Sequence, residues 1–276
     1  MCIRDSVYGR MTGWGQDGPL AMRAGHDIDY IALSGVLHAC GRAGERPVPP
    51  VNFLGDFGGG GAFLALGIVA AMWEARSSGE GQVVDAAMVD GSAVISTMLH
   101  GLMAQDRWRD RAGVNFADTG SNYYEVYECA DGRHVAVGAI EGPFYAALLE
   151  GLGLSAVELP DRRDERNWPE LKARFAAVFG TRTRDDWAAL FEGTDACVAP
   201  VLSLTEASRH PHNAARSTFV EHGGIVQPAP APRFSRTSTS LGRTPPAPGD
   251  HTDDLLTELG YAVGEIGELR DRGVVA

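Results

Sequence analysis

Cysteine is scarce in this chain, and acidic residues outnumber basic ones. Four cysteines in 276 residues (Cys2, Cys40, Cys129 and Cys197) show no C-x-x-C spacing. That argues against a disulfide scaffold or redox dithiol and for reduced thiols in a cytoplasmic protein. A net charge of −12 leaves no chain-wide basic footprint, so nucleic acid is not an expected partner. An anionic small molecule stays open, through a local Arg cluster or helix N-termini. No Gly-Lys-Ser/Thr follows the glycine run at 58–61, which excludes a P-loop. His38 with Cys40, and His210 with His212, lack a second ligand pair at useful spacing, so no metal is expected. No secretory leader is visible, and Gly273-Val274-Val275-Ala276 is no targeting tripeptide. No apolar stretch is long and clean enough to cross a bilayer, so no membrane is expected. The most apolar run, Ala62 to Trp73, reads as a buried core helix.

What is present suits a soluble α/β protein with one large or two modest domains. A hydrophobic fraction of 44% over 276 residues is enough for a real core. Val7 to Gly15 reads as the end of a core strand entering a glycine-rich loop. Asp29 to Leu37 has helical apolar spacing, and Phe57 to Glu74 is the first long helix, stopped by Ser77-Ser78-Gly79. Gln82 to Asp85 reads as a short strand and Val89 to Ala104 as one helix. Tyr123–Cys129 and His134–Ile140 flank Ala130-Asp131-Gly132, a strong hairpin signal. Pro143 suits the first turn of a helix running through Leu149. Trp168-Pro169 opens a helix striped by Leu171, Phe175, Val178 and Phe179. Thr183 reads as a cap before Trp187, Leu190 and Phe191. Cys197 to Leu202 reads as an edge strand because of Pro200. Asp253–Gly260 and Val263–Asp271 read as terminal helices.

Composition divides the chain into residues 1–105, a polar linker at 106–122, a compact α+β module at 123–209, a proline-rich linker at 210–232 and a return segment at 233–276. Met1 to Ser6 shows no capping logic or periodicity, and a core strand rarely opens a domain. The chain is therefore expected to be a fragment that lacks an N-terminal part.

Two segments carry candidate chemistry. Gly25-His26-Asp27-Ile28-Asp29-Tyr30 offers an imidazole among small and acidic neighbours. Asn52-Phe53-Leu54-Gly55-Asp56 offers a carboxylate just before Gly58, Gly59, Gly60 and Gly61. A His and an Asp that converge on one space can take a proton from one face of a carbon and return one to the other. Each residue also has an ordinary reading. His26 could be a surface or core histidine, Asp56 a helix cap, and the glycines a seam of tight helix packing or an oxyanion cradle. Glu141, before the Gly142-Pro143 helix start, could be a solvated turn residue.

Gly9-Arg10-Met11-Thr12-Gly13-Trp14-Gly15-Gln16, Gly25-His26-Asp27, Gly55-Asp56-Phe57-Gly58-Gly59-Gly60 and Ala139-Ile140-Glu141 resemble the α-methylacyl-CoA racemases, a branch of the class III CoA-transferase superfamily. The resemblance runs from about Val7 to the C-terminus. It implies an α/β class III CoA-transferase fold, with an incomplete Rossmann-like large domain, a smaller α+β domain and long linkers. It also implies catalytic His26 and Asp56, with Glu141 orienting the histidine. Gly25, Asp27, Ile28, Asp29, Tyr30, Asn52, Gly58, Gly59 and Gly60 would line the substrate site. The substrate implied is a 2-methyl-branched acyl-CoA of lipid metabolism, used without a cofactor. The implied assembly is an interlocked homodimer, with each active site between the large domain of one subunit and the small domain of the other. The family's upstream βα units and nucleotide-gripping arginines have no counterpart before Val7, so weak CoA affinity and a poorly covered sheet are expected. Two alternatives remain at this point: a class III CoA-transferase using Asp56 as nucleophile, and a truncated, non-catalytic fragment.

Overall fold

The computed structural model describes residues 5–275, so Cys2, the rest of residues 1–4 and Ala276 lie outside the described residues. Two compact units divide the chain, one ending at Val201 and the other beginning at Leu202. The sequence instead puts its breaks at 106–122 and 210–232.

The first unit opens with β1 (Tyr8–Thr12) and α1 (Asp27–Leu33). A π-helical stretch, Phe53–Ala62, runs directly into α2 (Phe63–Ser78). Next come β2 (Val83–Ala87), α3 (Met88–Ile95) and α4 (Thr97–Met103). β1 and β2 pair in parallel, from Tyr8 opposite Val83 to Thr12 opposite Ala87, with helices on the connection as a parallel pair requires. The expected helix over Val89–Ala104 is broken at Ser96. There Ser96 Oγ donates to the Ala93 carbonyl (2.8 Å) and Thr97 Oγ1 to the Val94 carbonyl (2.6 Å). Such back-bonding hydroxyls bend helices.

Two expectations fail on the longest helix. Phe53–Ser78 is a continuous helical stretch of 26 residues, long and apolar enough by length and composition alone to cross a membrane. The sequence underestimates it because a helix start at Phe57 ignores the turn that the glycines continue. Nor is Ala62–Trp73 a buried core helix. On α2 only Ala71 is buried, while Leu66 and Trp73 are 66% and 73% exposed.

The rest of the first unit is the α+β module. β3 (Tyr124–Glu128), β4 (His134–Gly138) and β5 (Val198–Pro200) form an antiparallel sheet in that order. The hairpin turns at Asp131-Gly132, and Pro200 sits on the edge strand, both as expected. The sheet packs on α5 (Gly142–Leu152), α6 (Trp168–Phe179) and α7 (Arg184–Phe191). Val135, Leu148, Phe175, Phe179, Trp187 and Phe191 meet in one core. Thr183 caps α7, its Oγ1 accepting from the Asp186 N–H at 3.1 Å.

Residues 106–122 form a tied loop. Asp118 accepts from the N–H of Gly113 (2.9 Å) and Asn115 (2.7 Å), and from Asn115 Nδ2 (2.7 Å). A seam joins this loop, the segment after α1 and the module. The buried Glu125 carboxylate meets Arg42 at 2.9 Å and Lys172 at 2.7 Å, and Lys172 also donates to the Thr119 carbonyl.

The second unit holds α8 (Leu204–Ala207), α9 (Pro211–Ala215), β6 (Phe219–His222), β7 (Ile225–Pro228), α10 (Thr252–Glu258) and α11 (Val263–Asp271). The β6–β7 hairpin lies where a linker is expected. Gly223 and Gly224 have φ of 60° and 76°, the paired left-handed conformation that a two-residue hairpin turn requires.

Candidate active site

His26 sits at the N-cap of α1 in extended conformation, φ −133° and ψ 172°. Asp29 fixes it by accepting its backbone N–H at 2.9 Å. The imidazole is exposed and takes no part in that bond.

Asp56 lies in the first turn of the π-helical stretch. Any helix start leaves backbone N–H groups without intrahelical acceptors, and here Asp27 supplies one. Its Oδ2 accepts from the Gly55 N–H (2.6 Å) and the Asp56 N–H (2.8 Å). A carboxylate at this position also complements the positive end of the helix. The approach demands glycine at 55, because a Cβ there would stand 2.5 Å from Asp27 Oδ2. Asp27 is covalently next to His26, so one buried side chain links the backbones that carry imidazole and carboxylate. Asp27 is only 5% exposed, and its carboxylate faces protein.

The other expected residues arrange themselves around this clamp. Asn52 Nδ2 donates to Asp56 Oδ2 at 3.0 Å, steadying the carboxylate. Tyr30 is buried, and its phenol is pushed above the ordinary range by burial first and then by the charges of Asp56 and Asp29. Ile28 is exposed. Gly25 lets the chain pass between two rings, since a Cβ there would lie 2.8 Å from Tyr30 and 2.9 Å from Trp14. Trp14 meets Tyr30 edge-on at 4.8 Å. That pairing escapes sequence reasoning, although the indole in a glycine-rich loop is the signal that could have found it.

The glycines take the packing role. Gly59 and Gly60 are buried. A Cβ on Gly59 would lie 2.7 Å from the Ser92 nitrogen and 2.9 Å from the Met88 carbonyl. One on Gly60 would lie 2.9 Å from the Met88 side chain. Gly58 has Ile95 of α3 at 3.2 Å from the same position. Gly58, Gly59 and Gly60 thus form the seam against α3.

Glu141 is elsewhere in the chain. It is the exposed N-cap of α5, and its carbonyl accepts the Tyr145 N–H at 2.9 Å. Its charge, after burial, raises the neighbouring Cys197 thiol. Among the described residues no hydrogen bond or ion pair joins Glu141 to His26. Cys40, Cys129 and Cys197 are free thiols, and no group of three or more His, Cys, Asp or Glu among the described residues is placed to hold a metal.

The arrangement thus carries an imidazole and a carboxylate on two backbone segments tied through Asp27. Known proteins place the chain accordingly. The profile of CoA-transferase family III matches residues 5–252. Alpha-methylacyl-CoA racemase of Mus musculus is 46% identical over 271 residues, spanning 98% of this chain and 71% of that protein. The protein of the same name from Homo sapiens is 43% identical over the same shares. Succinyl-CoA:glutarate CoA-transferase of Homo sapiens is 30% identical over 98% of this chain and 63% of its own length. Among solved structures, a CAIB/BAIF family protein from Brucella suis shares the fold at a TM-score of 0.76, with 21% identity over 93% of this chain and 68% of that one. On the extent of the profile match and these identities, the chain belongs to CoA-transferase family III.

Proposed function

We propose that this chain interconverts (2R)- and (2S)-2-methylacyl-CoA thioesters. The observation that carries this reading is the clamp: Asp27 ties the His26 and Asp56 segments together, which supports imidazole and carboxylate acting on one substrate carbon. The 46% and 43% identities to alpha-methylacyl-CoA racemases support the same reaction.

The Cα proton of a thioester is weakly acidic, so its removal needs a base in contact and stabilisation of the enolate. In one direction neutral His26 takes the proton, and the C–H electron pair moves into the enolate. Protonated Asp56 then delivers a proton to the opposite face of Cα. The enzyme is left with imidazolium and carboxylate, the state that runs the reverse direction, and exchange with water resets it. The CoA portion contributes remote binding energy that holds Cα between the two groups. All of this is acid–base chemistry on the acyl-CoA substrate, for which these residues need no cofactor.

Glu141 orients His26 in this reading, and it does so from a second copy of the chain in a homodimer. The outward apolar side chains of α2 support such an interface. The acidic charge supports a protein that does not bind nucleic acid, and the free thiols support a cytoplasmic one. The packing of Gly59 and Gly60 on α3 supports a place for the helical stretch within a protein rather than a membrane. A CoA-transferase using Asp56 as nucleophile is the second reading, favoured by the 30% identity to succinyl-CoA:glutarate CoA-transferase. Hydroxylamine separates the two, because it inactivates a covalent aspartyl-thioester enzyme and spares a proton-transfer one.

The deciding test is deuterium exchange in heavy water on one enantiomer of 2-methylhexanoyl-CoA. Optical purity falls as Cα gains deuterium. His26→Ala and Asp56→Ala each abolish interconversion, and intact racemisation in either variant sinks the two-base assignment.

A further inference from the structure

Among the described residues no side chain hydrogen-bonds or ion-pairs with the Glu141 carboxylate, so its aim rests on the backbone that carries it. On the C-terminal side its carbonyl closes the first turn of α5. On the N-terminal side stands Ala139, fully buried, whose carbonyl accepts from Arg162 Nη1 at 3.2 Å. Arg162 is itself caged. Its guanidinium lies 4.2 Å from the Tyr145 ring centroid and 4.9 Å from that of Tyr123. Its own carbonyl accepts the Trp168 indole N–H at 2.9 Å. Tyr123 meets both Tyr145 and Trp168 edge-on, so two rings hold the guanidinium and Trp168 braces one of them.

A planar guanidinium stacks on rings while keeping donors free in its plane, which an ammonium cannot do. Here that geometry reaches across from the segment before α6 to the strand end two residues ahead of Glu141. We infer that Arg162 is a positioning residue for the reaction: gripped by Tyr123 and Tyr145, it fixes the Ala139 carbonyl and thereby the approach of Glu141 to the histidine it orients. The inference rests on the role proposed for Glu141. Supporting shells of this kind matter because a displacement of about 1 Å at a reacting group can cost about 100-fold in rate.

The test is a double-mutant cycle on the full chain, reading deuterium exchange into 2-methylhexanoyl-CoA, with thermal unfolding recorded for every variant. Arg162→Lys keeps the charge and loses the fork, and Arg162→Met loses both. The expected result is a fall in kcat of about tenfold or more at unchanged KM in both variants. Neither change costs anything further in a Glu141→Gln background. Arg162 variants with wild-type kcat overturn the proposal. So does a loss that persists undiminished in Glu141→Gln, or one that follows the unfolding temperature alone. Full exchange in Glu141→Gln itself overturns the Glu141 assignment separately, and an Arg162 loss in that case gives Arg162 a role of its own.

Discussion

The two halves of the first unit are built on opposite plans. The α+β module surrounds a dense aromatic and aliphatic core, in which Leu148, Phe175 and Phe179 are fully buried. The region that carries His26 and Asp56 buries little of its longest helix and turns Leu66, Val69, Met72 and Trp73 outward. Its order near the site comes from a carboxylate on two backbone N–H groups and from glycines pressed against α3. One half is held by area removed from water, the other by a few short polar and backbone contacts. The lesson is that the module rests on its own core, whereas the half with the proposed proton-transfer pair is sensitive to single atoms.

The contrast can be broken from either side. The largest effect belongs to the module: Phe175→Ala should cost about 3–5 kcal/mol in denaturant unfolding, and a loss below about 1 kcal/mol would mean the core is not what supports it. Next comes the clamp. Asp27→Asn keeps the shape but gives up the charge on two hydrogen bonds, for about 1.5–3 kcal/mol. Faster amide exchange at Gly55 and Asp56 should accompany it, with the module's amides unchanged. Uniform loosening across both halves would contradict the division. Gly59→Ala drives a methyl into the Ser92 backbone and should cost about 1–3 kcal/mol by overpacking, seen as a lower unfolding temperature. The smallest effect lies at the seam. Burial alone would raise the Glu125 carboxyl, but hydrogen bonds from Arg42 and Lys172 outweigh it and hold the group below its ordinary 4.5. A lowered carboxyl stabilises the fold above its unfolded value and loses that contribution as pH falls through the lowered one. Stability should therefore decline below about pH 4.5, by about 1 kcal/mol from this group, and Glu125→Gln should flatten that portion of the acid profile.

The same contrast explains what the sequence made legible. The module could be drawn from local signals: Asp131-Gly132 between strand runs, Pro143 at a helix start, Thr183 as a cap, and the stripe Leu171, Phe175, Phe179. Each acts within a few residues of itself. The region around the site does not work that way. Asp27 reaches N–H groups 28 and 29 residues along the chain, and no periodicity encodes that. His26 and Asp56 stood out through family resemblance, while their local context left them ordinary. Glu141 was legible only as a family position, because its local context offers nothing beyond a solvated turn residue. The break at Ser96 and the Gly223-Gly224 hairpin were both signalled locally, by adjacent hydroxyls and by paired glycines. The surrounding apolar run and the nearby prolines outweighed those signals.

The π-helical turn that bears Asp56 also makes the number of glycines a form of information. In such a stretch each bond spans five residues instead of four, and the stretch runs for ten residues before α2 begins. Deleting any one of Gly58 to Gly61 would remove one residue's step between Gly55 and α2. Everything upstream would then rotate by about 100° relative to α2, one residue's share of a 3.6-residue turn. Gly55 would leave the Asp27 carboxylate that now accepts its N–H. The spacing of the proposed proton-transfer pair is thus counted out along the chain, and a three-nucleotide deletion that alters no functional side chain would undo it.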